Sequence, residues 1–256
     1  MLEDAALVEE RRRWLVDLLA ERQRIVTNDA AEELGVSVDT VRRDLRALDA
    51  GGALRRVHGG AVARSSLPAS FTGRRSSPDD ARTRLAAAVI ERIRPRMVVG
   101  LDAGTTNIEV ARLLPRDLAV TIVTNSPPAA AELAGHPSAR VVLIGGVVDL
   151  EWMATTGPDA VAAWAGYRLD LGVVGMCALD PALGASTNSL AEVATKRAIM
   201  AAAAEVVVPA QLDKLATTAS FVVCPMSEID AVITESDADP DTIRAFRSIG
   251  VDVTLV

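Results

Sequence analysis

From residue 83 onward, short apolar runs alternate with helical patterns. "MVVGLD", "AVTIVT", "ARVVLIGG", "LDLGVVG", "EVVVPA", "IDAVITE" and "VDVTLV" read as strands. "ARTRLAAAVIERI", "TTNIEVARLL", "SPPAAAELAG", "LAEVATKRAIMAAA" and "PDTIRAFRSIG" read as helices between them. Strands this short and this uniformly apolar suit burial on both faces, with helices as crossovers between parallel neighbours. The pattern predicts an α/β domain around a mostly parallel sheet over residues 83–256. Such sheets bind ligands beyond the C-terminal ends of their strands, so the residues just after each run carry the chemistry.

Three of those ends are polar or glycine-rich. "GLDAGTTN" leaves a strand and opens a helix. Gly104, Thr105 and Thr106 can present backbone N–H groups and two hydroxyls to an anion at a helix N-terminus. The GK[ST] element of a P-loop is missing. "TNS" at 124–126 and "IGG" at 144–146 end two further strands. Each alone is a cap or a turn; three in one sheet predict a site.

The first 62 residues carry a different period. Trp14, Leu15, Leu18 and Leu19 recur at helical spacing, so residues 8–21 read as an amphipathic helix. "TNDAAEELG" is a short helix, with Thr27 or Asn28 as its cap and Gly35 as a left-handed stop. Ser37 then caps a helix running to about Asp49. Two helices joined by a tight glycine-containing turn outline a helix-turn-helix. On the second helix Val38, Val41, Leu45 and Leu48 share the core face, and Asp39, Thr40, Arg43 and Ala47 face away, flanked by Arg42 and Arg46. An arginine fork there can take both acceptors of a guanine edge in the major groove. Asp39 can accept from cytosine, or orient Arg43 one turn later. Beyond "AGG", "ALRRV" and "AVA" read as a hairpin turning at "HGG". Arg55 and Arg56 would lie along phosphates, and His58 at the turn fits a phosphate contact better than catalysis. A solvated helical cap with its arginines in surface ion pairs has the same spacing.

Between the two units, "ARSSLPASFTGRRSSPDDA" has no apolar period and reads as a linker over residues 63–82. Phe71 is its one candidate for docking on a neighbouring surface, and Arg74 and Arg75 read as solvated.

Charge divides along the same boundary. The chain has a formal net charge of −7, yet residues 40–64 hold six arginines against Asp44 and Asp49. Residues 97–256 hold nineteen acids against nine bases. A general, strongly basic nucleic-acid binder is excluded, and two separate jobs are implied. Only Lys196 and Lys214 are lysines among the twenty-seven basic residues. Cys177 and Cys224 have no metal-binding spacing, so neither a metal nor a cofactor is expected, and a reduced cytoplasmic protein is the default. "MLEDAALVEERRRW" has no apolar core of a signal peptide, and "IMAAAAEVVVPA" is too short and too broken to span a membrane.

"SVDTVRRDLRALDAGGALRRVHGGAV" resembles the N-terminal signature of the DeoR family of bacterial transcriptional repressors, through Ser37, Thr40, Val41, Arg42, Arg43, Asp44 and Leu45, then Leu54, Arg56, His58, Gly59 and Gly60. The second half is similar to the same family through Leu101 to Thr106, Val123 to Asn125, Gly145 and Gly146, and Glu192, Lys196 and Arg197. The resemblance implies a winged helix-turn-helix over residues 1–62 that binds double-stranded operator DNA through Ser37, Asp39, Thr40, Arg42, Arg43, Arg46, Arg55, Arg56 and His58. It implies an effector-sensing and oligomerising domain over 83–256 with the fold of ribose-5-phosphate isomerase, glucosamine-6-phosphate deaminase and CoA transferases. Gly104, Thr105 and Thr106 would hold the phosphate of a sugar-phosphate effector, with Asp102, Asn125 and Lys196 toward the sugar and Gly145 and Gly146 nearby. The implied protein is a homo-oligomeric repressor of a sugar-catabolism operon, a dimer or tetramer without catalytic residues. An active sugar-phosphate isomerase or deaminase with an accessory DNA-binding unit is the alternative. Two positions depart from the family's pattern: Gln211, three residues before Lys214, where an Asp is common and Asp213 adjoins the lysine instead, and Asp149, where an Arg is common.

Overall fold

The computed structural model describes residues 2–22, 24–57, 59–64 and 80–256. His58, Phe71, Arg74 and Arg75, and most of the expected linker, lie outside the described residues. Its ends are described: Ala63 and Arg64 belong to a strand and Asp80 to Arg82 to a helix.

The N-terminal unit runs α1 (Leu2–Arg22), β1 (Arg24–Val26), α2 (Thr27–Leu34), α3 (Val38–Ala50), β2 (Arg55–Val57) and β3 (Gly60–Arg64). Its core joins Leu15, Leu18 and Leu19 of α1 to Val41 and Leu45 of α3, with Ile25, Leu54 and Ala61 beneath them. Gly35 takes the left-handed stop, with φ 64°, and the Ser37 hydroxyl accepts from the Thr40 amide at 3.2 Å. The start of α2 differs from the sequence expectation. Val26 stands in the cap position with no side-chain cap, and the Thr27 amide donates instead to the Gly59 carbonyl at 2.8 Å. The hairpin satisfies the helix end, so no capping side chain is needed. That contact follows from β1, which the sequence did not announce. β1 and β2 flank β3 on its two edges, both antiparallel. Gly60 is required where β1 crosses, because a Cβ there would lie 1.8 Å from the Ile25 carbonyl oxygen.

The second unit is built on a seven-stranded sheet, every neighbour parallel, in the order β16 (Asp252–Leu255), β15 (Ala231–Thr234), β12 (Val206–Pro209), β9 (Leu171–Val173), β4 (Val98–Leu101), β5 (Thr121–Thr124) and β6 (Arg140–Leu143). One face packs on α4 (Asp80–Arg92), α5 (Thr105–Leu113) and α6 (Pro127–Glu132), through Leu85, Val89, Ile108 and Leu133. The other packs on α7 (Pro158–Trp164), α8 (Leu190–Ala202) and α9 (Pro240–Ser248), through Trp164, Ile199, Ile243 and Phe246. Val207 joins the first core while Val206 and Val208 join the second. Alternate side chains therefore serve opposite faces, which is why these strands read as continuous apolar runs.

Short antiparallel pieces gather beside the main sheet. They are the hairpin β7 (Val147–Asp149) and β8 (Ala154–Thr156), and the sheet β10 (Ala178–Asp180), β11 (Gly184–Thr187) and β14 (Phe221–Cys224). A two-residue strand, β13 (Thr217–Thr218), leaves this region and pairs in parallel with Ala63 and Arg64 of β3. Through that pair the two units share a sheet.

Candidate functional site

The exposed face of α3 carries the first set of predicted site residues. Arg42, Arg43 and Arg46 are exposed, as is Asp39. Asp39 pairs with Arg42, 3.0 Å from its Nη1, so its partner is Arg42 rather than Arg43. Ser37 and Thr40 close the cap, their hydroxyl oxygens 2.8 Å apart. The face is aimed from behind. Asp44 is buried and takes Arg11 Nε at 2.5 Å and Arg12 Nε at 3.2 Å, which ties α3 to α1. Arg56 is exposed on the wing. Arg55 is half-buried and donates from Nη1 to the Ala219 carbonyl of the second unit at 2.9 Å.

Part of the second set meets at the C-terminal ends of β4, β9 and β12. A cleft of about 520 Å³, open mouth included, has Gly104, Thr105, Thr106 and Lys196 in its wall. The first-turn amides of α5 have no partner within the helix, so the helix offers donors and a partial positive charge to an anion. Lys196 Nζ lies 2.6 Å from Asp102 Oδ2 and 3.3 Å from Glu192 Oε1, with all three side chains buried. Asp102 also accepts from the Gly175 amide at 3.1 Å, and Glu192 from the Thr187 hydroxyl at 2.9 Å. Burial pulls the ammonium toward its neutral form. The charges of Asp102 and then Glu192 outweigh it, and the pKa of Lys196 ends above the ordinary lysine value. Burial pushes Glu192 up; Lys196 offsets part of that shift and Asp102 adds to it. Lys196 is thus a fixed cation at the cleft floor, with Asp102 behind it.

Asn125, Gly145 and Gly146 do not line this cleft. The β7–β8 hairpin occupies the ends of β5 and β6 instead. Asn125 Nδ2 donates to the Thr155 carbonyl at 3.3 Å, the Thr155 amide returns to the Asn125 carbonyl at 2.8 Å, and the Thr155 hydroxyl donates to Ile144. Gly146 packs so closely on β8 that a Cβ would lie 2.8 Å from the Thr156 carbonyl oxygen.

The cleft also contains Asn107, Trp152 and Cys177, which were not expected there, and Glu192 and Lys214, which the sequence singled out without assigning them to the site. Asn107 Nδ2 holds the carbonyls of Asp102 and Val173, at 2.9 and 3.1 Å, while its buried Oδ1 has no hydrogen-bond partner. The departure at Asp149 has a role here. Its Oδ1 accepts from the amides of Glu151 and Trp152, at 2.9 and 3.2 Å, closing the turn that brings Trp152 to the cleft. No periodicity marks such a turn; Asp followed two residues later by the turn amide is the only signal. Among the described residues, no group of three or more His, Cys, Asp or Glu could hold a metal, and no helix is long and apolar enough to cross a membrane.

A model of the DeoR-like helix-turn-helix domain matches residues 11–67, and a model of the DeoR C terminal sensor domain matches residues 78–236. The HTH-type transcriptional regulator GlpR of Haloferax volcanii is 34% identical over 249 residues, covering 96% of this chain and 97% of that protein. The glycerol-3-phosphate regulon repressor of Escherichia coli strain K12 is 28% identical over 247 residues, covering 96% and 98%. Among solved structures, ribose 5-phosphate isomerase A of Methanocaldococcus jannaschii gives a TM-score of 0.40 at 16% identity, over 54% of this chain and 55% of that one.

Proposed function

This chain belongs to the DeoR family of transcriptional regulators, and we propose that it represses a sugar-catabolism operon from which a phosphorylated sugar releases it. The observation that carries the effector half is one cleft holding both an open helix N-terminus, at Gly104 to Thr106, and a buried cation, Lys196. A phosphate on the α5 amides leaves the rest of a small polyol to Lys196, Asn107 and Trp152. The DNA half is the arginine face of α3 with Arg56 on the wing, which set base reading beside phosphate contact. The protein acts in the cytoplasm as a homo-oligomer, because operators with two half-sites need two helix-turn-helix units at fixed spacing.

This reading has no catalytic residue. Asp102 and Glu192 both hold Lys196, and the reading assigns neither of them a proton-transfer role. The experiment is a shift of DNA from the gene's upstream region, and of random-sequence libraries, with and without a panel of three- to six-carbon sugar phosphates that includes glycerol 3-phosphate. Selected duplexes released by one panel member are expected. No bound duplex in any arm sinks the repressor. Turnover of the same panel, abolished by Asp102→Asn, would establish an enzyme in its place.

A further inference from the structure

The cleft and the wing meet in one segment, residues 214–219, and they meet there twice. Lys214 lines the cleft, and its carbonyl accepts from the Thr217 hydroxyl at 2.8 Å. Thr217 and Thr218 are the two residues that pair with Ala63 and Arg64 of the wing strand. The second route starts at Cys177 in the cleft wall. Its amide donates to the Ser186 carbonyl at 3.0 Å, and the Ser186 hydroxyl accepts from the Ala219 amide at 2.9 Å. The Ala219 carbonyl holds Arg55. Ala219 also shares a small apolar cluster with Trp152 and Cys177, both in the cleft.

We propose that residues 214–219 form a latch that couples the wall of the cleft to the wing, and that the wing seated on β13 is the arrangement that releases DNA. The proposal rests on the repressor reading and adds its route. With Arg55 spent on the Ala219 carbonyl, one wing guanidinium is withdrawn from the phosphates. DNA and the sensor unit therefore compete for the same side chain, and that competition is the differential interaction any switch requires. The contact is small enough to break. Among the described residues it rests on two paired residues and the Arg55 hydrogen bond, while β1, β2 and β3 pair with one another independently of it. Ala216, in the middle of the segment, has φ 52°, left-handed backbone that disfavours a residue with a Cβ. The strain marks a backbone held in place by its surroundings, so a change at Lys214 or Cys177 is passed to β13 rather than absorbed.

A pair of cysteines tests the seated state. Ala63→Cys with Thr217→Cys places thiols on register partners, while Cys177 and Cys224 are buried. The pair should cross-link in the DNA-free protein. The oxidised form should bind a duplex selected from random-sequence DNA on the order of tenfold more weakly than the reduced form, consistent with lost phosphate contacts, and reduction should restore affinity. Failure to cross-link in the folded protein overturns the seating, and equal affinity of the two forms overturns the latch while leaving the repressor intact. A wild-type chain that selects no duplex overturns the repressor reading and the latch with it. Ser186→Ala tests the link to the cleft wall without a ligand. It should bind the selected duplex several-fold more tightly and speed amide exchange at residues 217–219. If both stay unchanged, the route through Cys177 is wrong.

Discussion

Lys196 is the residue on which the effector domain turns. Asp102 and Glu192 hold its ammonium from two sides, yet they are not equivalent. Glu192 is raised by burial, so ionising it already costs the folded state something. Asp102→Asn should therefore lower stability by about 3 kcal/mol, as expected when one partner of a buried ion pair is removed. Glu192→Gln keeps a polar group for Thr187 and should cost less than about 1 kcal/mol. Urea titrations compare the two, and equal losses would remove the asymmetry. The pH dependence follows from the same shifts. The raised pKa of Lys196 contributes stability that is complete below the unfolded lysine value of about 10.4 and is lost as pH climbs through the higher folded value. The raised Glu192 works in the same direction from lower pH, because the folded state keeps its proton longer than the unfolded chain. Alkaline titration should thus unfold the wild type earlier than a Lys196→Met, Asp102→Asn, Glu192→Gln variant. Much of this site was legible: "LDAGTT" and Lys196 stood out. Asn125, Gly145 and Gly146 also stood at strand ends, but a sequence does not reveal that a later hairpin covers both of those ends.

At the scale of elements, α3 illustrates what a period can and cannot say. Its core face and its Ser37 cap follow directly from the spacing of Val41, Leu45 and Leu48. Asp44 reads as one more polar residue, and only the folded unit reveals it as the pin between α3 and α1. Asp44→Ala should remove about 2 kcal/mol from the N-terminal unit, the range for hydrogen bonds to charged groups. DNA affinity should then fall for every sequence alike, because the helix loses its aim rather than its reading side chains. Circular dichroism melts and binding to matched and mismatched duplexes report the two effects; loss confined to one base pair would contradict it. Several elements escaped sequence reading, among them α7, β11 and β14, and two of the strands are very short. β1 has three residues and β13 two, too few to display an alternation, and both exist because a neighbouring backbone is placed to pair with them. The long runs of the parallel sheet suffer no such ambiguity, since burial on both faces leaves them continuously apolar.

Across the whole molecule, the charge division seen in the sequence becomes a division of surfaces. The arginine-rich stretch forms one face of α3 and the wing, while the acid-rich half encloses a cleft whose positive charge comes from the buried Lys196, from Lys214 in its wall and from a helix end. An acidic protein can bind DNA this way because only the local field at the contact matters within a screening length of about 8 Å at physiological salt. Arg43→Ala should lose about 1–3 kcal/mol of discrimination at one base pair. Arg56→Ala should weaken all duplexes equally and lower the salt slope by about one unit. Binding isotherms across salt concentrations separate the two, and identical effects of both substitutions on selected and random DNA would refute the division of labour.

Trp152 gives the molecule an optical property of its own. The chain has three tryptophans: Trp14 lies in α1, Trp164 is fully buried at the end of α7, and Trp152 stands in the wall of the cleft. Indole emission is sensitive to the polarity and water around the ring, so filling the cleft changes the light from one fluorophore of three. The same ring shares its apolar cluster with Ala219, the residue that holds Arg55. A time course of unlabelled emission would therefore follow the arrival of a small molecule and the seating of the wing as two successive steps.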